Sequence, residues 1–159
     1  MKNMIDNAKV DYLKVATIMF MMIVSLTSCK EKESIEPCEI PITEYSLYET
    51  GCWWINFESD KIIVINSNQE LEKHIACSDG FKYPSIDFSK NTLLFVSGST
   101  SSGVSEVNAS CFYDGAKKYI LNVTVCLNTA MVAQGWQIGF LTPKIDSEKI
   151  VTLDVQHTY

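Results

Sequence analysis

The chain is poor in the residues from which reactive centres are usually assembled. It holds two histidines in 159 residues, His74 and His157, and no pair at His-x-x-x-His or Cys-x-x-Cys spacing. A zinc site needs several such ligands at defined intervals, so neither a metal nor any other cofactor is expected. Gly-x-Ser-x-Gly is missing too, and with it the nucleophile elbow of hydrolases. His74 and Cys77 stand at helical i, i+3 spacing, but an exposed His beside a buried or bridged Cys explains them without a dyad. Gly98 and Gly103 enclose small residues with no lysine and no following helix, which reads as a flexible turn and not a phosphate cradle. Asp79, Asp87, Asp114 and Asp154 fall where turns or wet strand faces would put them, with nothing that pairs two acids across a cleft. The expectation is a protein that is not an enzyme.

Long apolar runs are equally scarce. The main one, 15–25, spans about 11 residues and is too short for a bilayer-crossing helix. It follows Lys2, Lys9 and Lys14 and ends in small residues, which is the layout of an export signal. The residues that close it, Leu26-Thr27-Ser28-Cys29, resemble the lipobox of bacterial lipoproteins. The resemblance implies that 1–28 is a signal peptide, and that Cys29 carries a diacylglycerol and becomes the new N-terminus, anchored in the outer membrane. The charged stretch Lys30-Glu31-Lys32-Glu33 resembles the signal by which lipoproteins of the Bacteroidetes reach the outer leaflet. That resemblance implies exposure at the cell surface.

Positive charge is in short supply. The net charge is −6, and the segment up to Ser28 carries three lysines against Asp6 and Asp11, so its removal takes the chain near −7. Phosphate backbones would repel such a protein, so nucleic acid is not an expected partner. Attachment to a membrane falls to the lipid on Cys29 instead of to electrostatics. Apolar residues make up 47% of the chain, enough to argue against disorder in the main body, and the length suits one domain.

Residues 29–45 are polar and interrupted by Pro37 and Pro41, which suggests a lipidated flexible tether leading into a globular domain at 46–159. Within the domain, Lys61–Ile65 is a short β-branched run. Ser67-Asn68-Gln69-Glu70 is a capping box, and with Leu71, Ile75 and Cys77 at helical spacing it predicts a helix over about 68–77. Thr92–Ser97 is apolar on both faces and reads as a central strand. Val104–Tyr113 and Lys118–Asn128 flank the hairpin signal Asp114-Gly115. In the second of these, Tyr119, Leu121, Val123, Val125 and Leu127 alternate with polar residues. One short helix followed by strands predicts an α+β fold, a small antiparallel sheet packed on one side by that helix.

Export exposes Cys38, Cys52, Cys77, Cys111 and Cys126 to an oxidising compartment, and their odd number leaves at least one unpaired within the chain. Burial as small apolar residues is the alternative for several of them. The first candidate bridge is Cys52 with Cys77, an early strand against the end of the helix. Trp53 and Trp54 are adjacent and point to opposite faces if extended, so one belongs to the core and the other is a candidate binding residue. Trp136 alternates with Ile138 and Phe140, which favours the core.

From Val64 onward, Val-Ile-Asn-Ser-Asn-Gln-Glu-Leu, then Ile86-Asp87-Phe88-Ser89-Lys90 before Leu93-Leu94-Phe95-Val96-Ser97-Gly98, the chain resembles the C-terminal domain of protease-complex subunits of the PrcB type. The similarity covers about 64–155, with Gly98 and Gly103 standing apart where that family has adjacent glycines. It implies a non-catalytic α+β domain that binds or stabilises a partner protein outside the cell. The alternative reading is a glycan-binding accessory lipoprotein that uses an exposed tryptophan, Trp53 or Trp54.

Overall fold

The computed structural model describes residues 36–159. The signal segment, the lipobox and Cys29 lie outside the described residues. Among those described, no helix is long and apolar enough to cross a membrane.

The α+β expectation is overturned, because among the described residues the regular elements are ten strands and a single helical turn. Strands β1 (Cys38–Ile40), β7 (Val104–Tyr113), β8 (Lys118–Leu127) and β10 (Ile150–Thr158) form one sheet in the order β1-β7-β8-β10. Strands β2 (Thr43–Tyr45), β4 (Ile62–Ile65), β6 (Asn91–Thr100) and β9 (Gln134–Pro143) form a second, in the order β2-β9-β6-β4. A ribbon of β3 (Cys52–Trp54) and β5 (Ile75–Cys77) makes a third, two-stranded sheet. Pairing is antiparallel throughout except for β10, which runs parallel to β8.

The helix expected over 68–77 is a single turn, α1 (Asn68–Leu71). The Ser67 half of its capping box forms as the residues suggest, while Glu70 reaches one residue beyond the cap, to Asn66. Ser67 Oγ accepts from Glu70 N at 3.2 Å, and Glu70 Oε2 reaches back to accept from Asn66 N at 2.7 Å. The turn then tightens through Lys73 N to Glu70 O and His74 N to Leu71 O, both i to i−3 bonds. Ile75-Ala76-Cys77 leaves the helix because the ladder to Trp54-Trp53-Cys52 claims its backbone groups. Leu71 and Ile75 do bury their side chains, as helical spacing suggests, but from a turn and a strand.

The two large sheets stack as a sandwich. Cys111, Leu121, Val123 and Val125 from one meet Leu94, Val96, Trp136 and Phe140 from the other in a single core. The second sheet is covered on its other face as well. There Leu93, Phe95 and Ile65 pack under Cys52, Trp54 and Ile75 of the ribbon, with Leu71 and Ile86. Strand β6 therefore runs through the middle of three layers, and every residue from Thr92 to Gly98 is buried. That is why its sequence is apolar on both faces. Strand β8 keeps the alternation its sequence shows, with Leu121, Val123 and Val125 inward.

Strands β1 and β2 lie inside the segment expected as tether. They add three residues each to the edges of the two large sheets, so the folded body extends back to Cys38.

The sandwich has two chemically different ends. At the base lie the β7–β8 hairpin 114–117 and the connection 144–149. Cys38 pairs with Tyr113 there, which brings the chain in at this end. At the apex, about ten residues or roughly 30 Å away along the strands, lie the turn 101–103, the loop 128–133 and Thr158 opposite Cys126.

Candidate functional site

The Cys52–Cys77 ribbon gathers the residues that the sequence singles out. Cys52 and Cys77 sit directly opposite in the antiparallel ladder and form a disulfide that closes a span of 25 residues. Trp53 and Trp54, between the bridge and the turn at Asn56, face opposite ways. Trp54 is buried, stacked on Phe95 with ring centroids 4.1 Å apart and edge-on to Tyr45 at 6.1 Å. Trp53 keeps 50% of its surface exposed.

Beside Trp53 runs an open groove of about 290 Å³, lined chiefly by Glu44, Tyr45, Tyr48, Trp53, Trp54 and Gln137. Tyr48, 81% exposed, stands on a tight loop. Thr50 Oγ1 donates to Leu47 O at 2.7 Å and accepts from Cys52 N at 3.2 Å, while Glu49 and Gly51 take positive φ of 60° and 70°. Ser46 Oγ accepts from Tyr48 N at 3.1 Å. Tyr45 forms the floor, its hydroxyl donating to Pro84 O at 2.6 Å, and burial pushes its pKa up to about 12. Gly139 closes the floor under Trp54, where an added Cβ would come to 3.1 Å from the indole.

A second surface occupies the apex. Met131 is fully exposed and Val132 more than half so. Their loop is ordered by hydrogen bonds: Ala130 N donates to Asn128 Oδ1 at 2.9 Å, Gly103 N to Ala130 O at 2.9 Å, and Asn128 N to Gly103 O at 2.8 Å. Gly103 allows this because a Cβ there would lie 2.9 Å from Asn128 Cγ. Residues 91–105 and 119–143, which supply most of the apex, contain no ionisable Asp, Glu, Lys, Arg or His. The base, by contrast, carries Asp114, Lys117, Lys118, Lys144, Asp146 and Lys149.

The other sequence candidates do not converge. His74 turns its Nδ1 to Asn56 O at 3.0 Å, and Cys77 is bridged, so the pair holds no thiol. His157 lies exposed on β10. Asp87 and Asp114 cap turns. Asp87 accepts from Ser89 Oγ at 2.5 Å and Ser89 N at 3.1 Å, and Asp114 accepts from the amides of Ala116, Lys117 and Lys118 at 2.8 to 3.0 Å. These bonds hold both carboxyls below the usual range. Among the described residues no group of three or more His, Cys, Asp or Glu is placed to hold a metal. Gly98 is no part of a turn but lies inside β6, against Trp136, which is buried with its Nε1 unpartnered.

Sequence reasoning passes over Tyr48, Glu44 and Gln137, which reach the groove from three separate elements. It also passes over Met131-Val132, although the charge-free run around them is visible in the residues. Comparison of the chain with protein families, with curated proteins and with solved structures finds no match.

Proposed function

We propose that this chain is an exported lipoprotein, anchored in the outer membrane through Cys29, whose extracytoplasmic domain binds a partner protein without catalysing a reaction. The observation that carries the reading is the apex. A fully exposed Met131, with Val132 beside it, stands on a hydrogen-bonded loop inside a run, 119–143, that holds no charged side chain, while Cys38, the start of the first strand, lies at the charged base. Cores of protein interfaces are depleted in charge and enriched in methionine, and a loop already ordered loses little entropy on docking. Ser101, Ser102, Asn128 and Thr129 supply the uncharged polar rim that such a contact needs.

The test is a pull-down from native envelope and culture fluid with the mature chain as bait, run beside Met131→Glu/Val132→Glu. One protein recovered stoichiometrically by the wild type, lost with the double variant and rebound in purified form supports the reading. Recovery of nothing, or of the same set by both baits, overturns it.

A further inference from the structure

The groove beside the disulfide is separate from the apex and has a different chemistry. Its exposed surfaces are two aromatic side chains, Trp53 and Tyr48, and three uncharged or acidic polar ones, Ser46, Gln137 and Glu44. No lysine lines it, so an anionic ligand would meet Glu44 with nothing to offset the repulsion. Ionised Glu44 is an acceptor only, Gln137 offers both roles, and Ser46 Oγ already accepts from Tyr48 N and keeps its own proton to donate. The matching ligand is neutral, donates and accepts through several hydroxyls, and has an apolar C–H face to lay on an indole.

The walls are held before any ligand arrives. Trp53 lies between Cys52, tied to Cys77, and Trp54, locked between Phe95 and Tyr45. The Tyr48 loop is fixed by the Thr50 bonds, and Phe81 packs against Gly51, where an added Cβ would lie 2.5 Å from its ring. With the backbone held in this way, only the few side-chain torsions of Trp53 and Tyr48 remain to be ordered, so these rings give contact area at small entropic cost. A quaternary ammonium would want several ring faces turned toward it. Here the floor rings Tyr45 and Trp54 are spent on each other and on Phe95. The volume, about 290 Å³, suits a short saccharide unit and sits at the lower limit of small-ligand sites, roughly 300 to 1,000 Å³.

We infer that this groove is a binding subsite for a neutral saccharide, with Trp53 as the stacking platform, Tyr48 as the side wall, and Glu44 and Gln137 as hydroxyl partners. The inference stands or falls apart from the apex contact, since the two surfaces share no residue.

The experiment titrates the mature chain with neutral hexaoses of glucose, mannose and galactose, by calorimetry and by tryptophan fluorescence. At least one is expected to bind, with Trp53→Ala weakening it about tenfold or more and Trp53→Phe retaining most of the affinity. Tyr48→Ala, at a solvent-exposed loop position, is expected to weaken binding severalfold and covers the case in which Trp53→Ala does not fold. Glu44→Gln is expected to lower affinity because a charge-assisted bond is lost. Three results overturn the inference: no hexaose bound at about 10 mM, a regime below any useful single-site affinity; binding unchanged by Trp53→Ala and Tyr48→Ala; or binding of choline chloride in place of the sugars.

Discussion

Gly98 and Trp136 face each other across β6 and β9, and the indole occupies the space that a side chain at position 98 would need. A Cβ there would stand 2.6 Å from one indole ring carbon and 2.8 Å from Nε1. The φ of Gly98 is ordinary, so space is what demands glycine. Gly98→Ala is therefore expected to cost about 1–3 kcal/mol by overpacking, read from urea unfolding followed by far-UV circular dichroism. Trp136→Phe makes room and also removes an indole N–H that is buried without a partner. The double variant should recover part of the loss, and strictly additive effects would show that the two residues do not clash.

The same pair shows what could be seen in the sequence and what could not. Burial of Trp136 follows from its alternation with Ile138 and Phe140, and the central place of Thr92–Ser97 from its two apolar faces. The role of Gly98 does not, because its reason for being small is a residue nearly forty positions away. Fold class fails on the same ground. A period-2 pattern says which residues turn inward but not whether they meet a helix or a second sheet. Strands β1, β2, β3 and β5 have three residues each, too few for any periodicity to register. The capping box predicts the start of α1 correctly, while its end is set by strand β3, which no local signal near residue 72 reports. Opposition of Trp53 and Trp54 is local and legible, but the groove beside Trp53 draws on residues far along the chain.

The disulfide is expected to stabilise the ribbon and its groove more than the sandwich. Closing 25 residues constrains the unfolded chain by roughly 3–4 kcal/mol on a chain-entropy estimate. The core between the two large sheets includes neither cysteine. Cys52→Ser/Cys77→Ser should thus lower the unfolding midpoint in urea while the far-UV spectrum keeps its strand signature. Hydrogen exchange should speed up first in 47–55 and 74–78. Uniform acceleration across β6 and β8 would show instead that the ribbon and the sandwich unfold as one unit.

The three unbridged cysteines of the described body differ in access. Cys38 is exposed on β1, Cys126 is partly covered on the outer face of β8, and Cys111 is fully buried in the sandwich. Burial pushes the Cys111 thiol up to about 11, because the thiolate would form among apolar groups. At pH 8 iodoacetamide should therefore label Cys38 promptly, Cys126 more slowly, and Cys111 only after denaturant is added. Peptide mapping of the native and unfolded chain reads all three. Prompt labelling of Cys111 in the native protein would mean that the sandwich opens.

Asp114 ties the hairpin at the base through its carboxylate, so the stability of the hairpin is expected to depend on pH. Its Oδ1 accepts from the amides of Ala116, Lys117 and Lys118 at 2.8, 3.0 and 3.0 Å. Led by the bond from Lys118, these donors favour the ionised form and lower its pKa in the folded state. A carboxyl lowered on folding contributes stability that is fully present above its unfolded pKa, about 3.9. That contribution is lost as pH falls through the folded value. Asp114→Ala removes it, so wild type should exceed the variant in thermal midpoint at pH 6, with the gap narrowing steadily below about pH 4. Asp114→Asn keeps an acceptor but no charge, so its gap to wild type should also close in acid. Thermal midpoints that stay parallel from pH 6 to pH 2.5 would show that the three amides do not depend on the charge of Asp114.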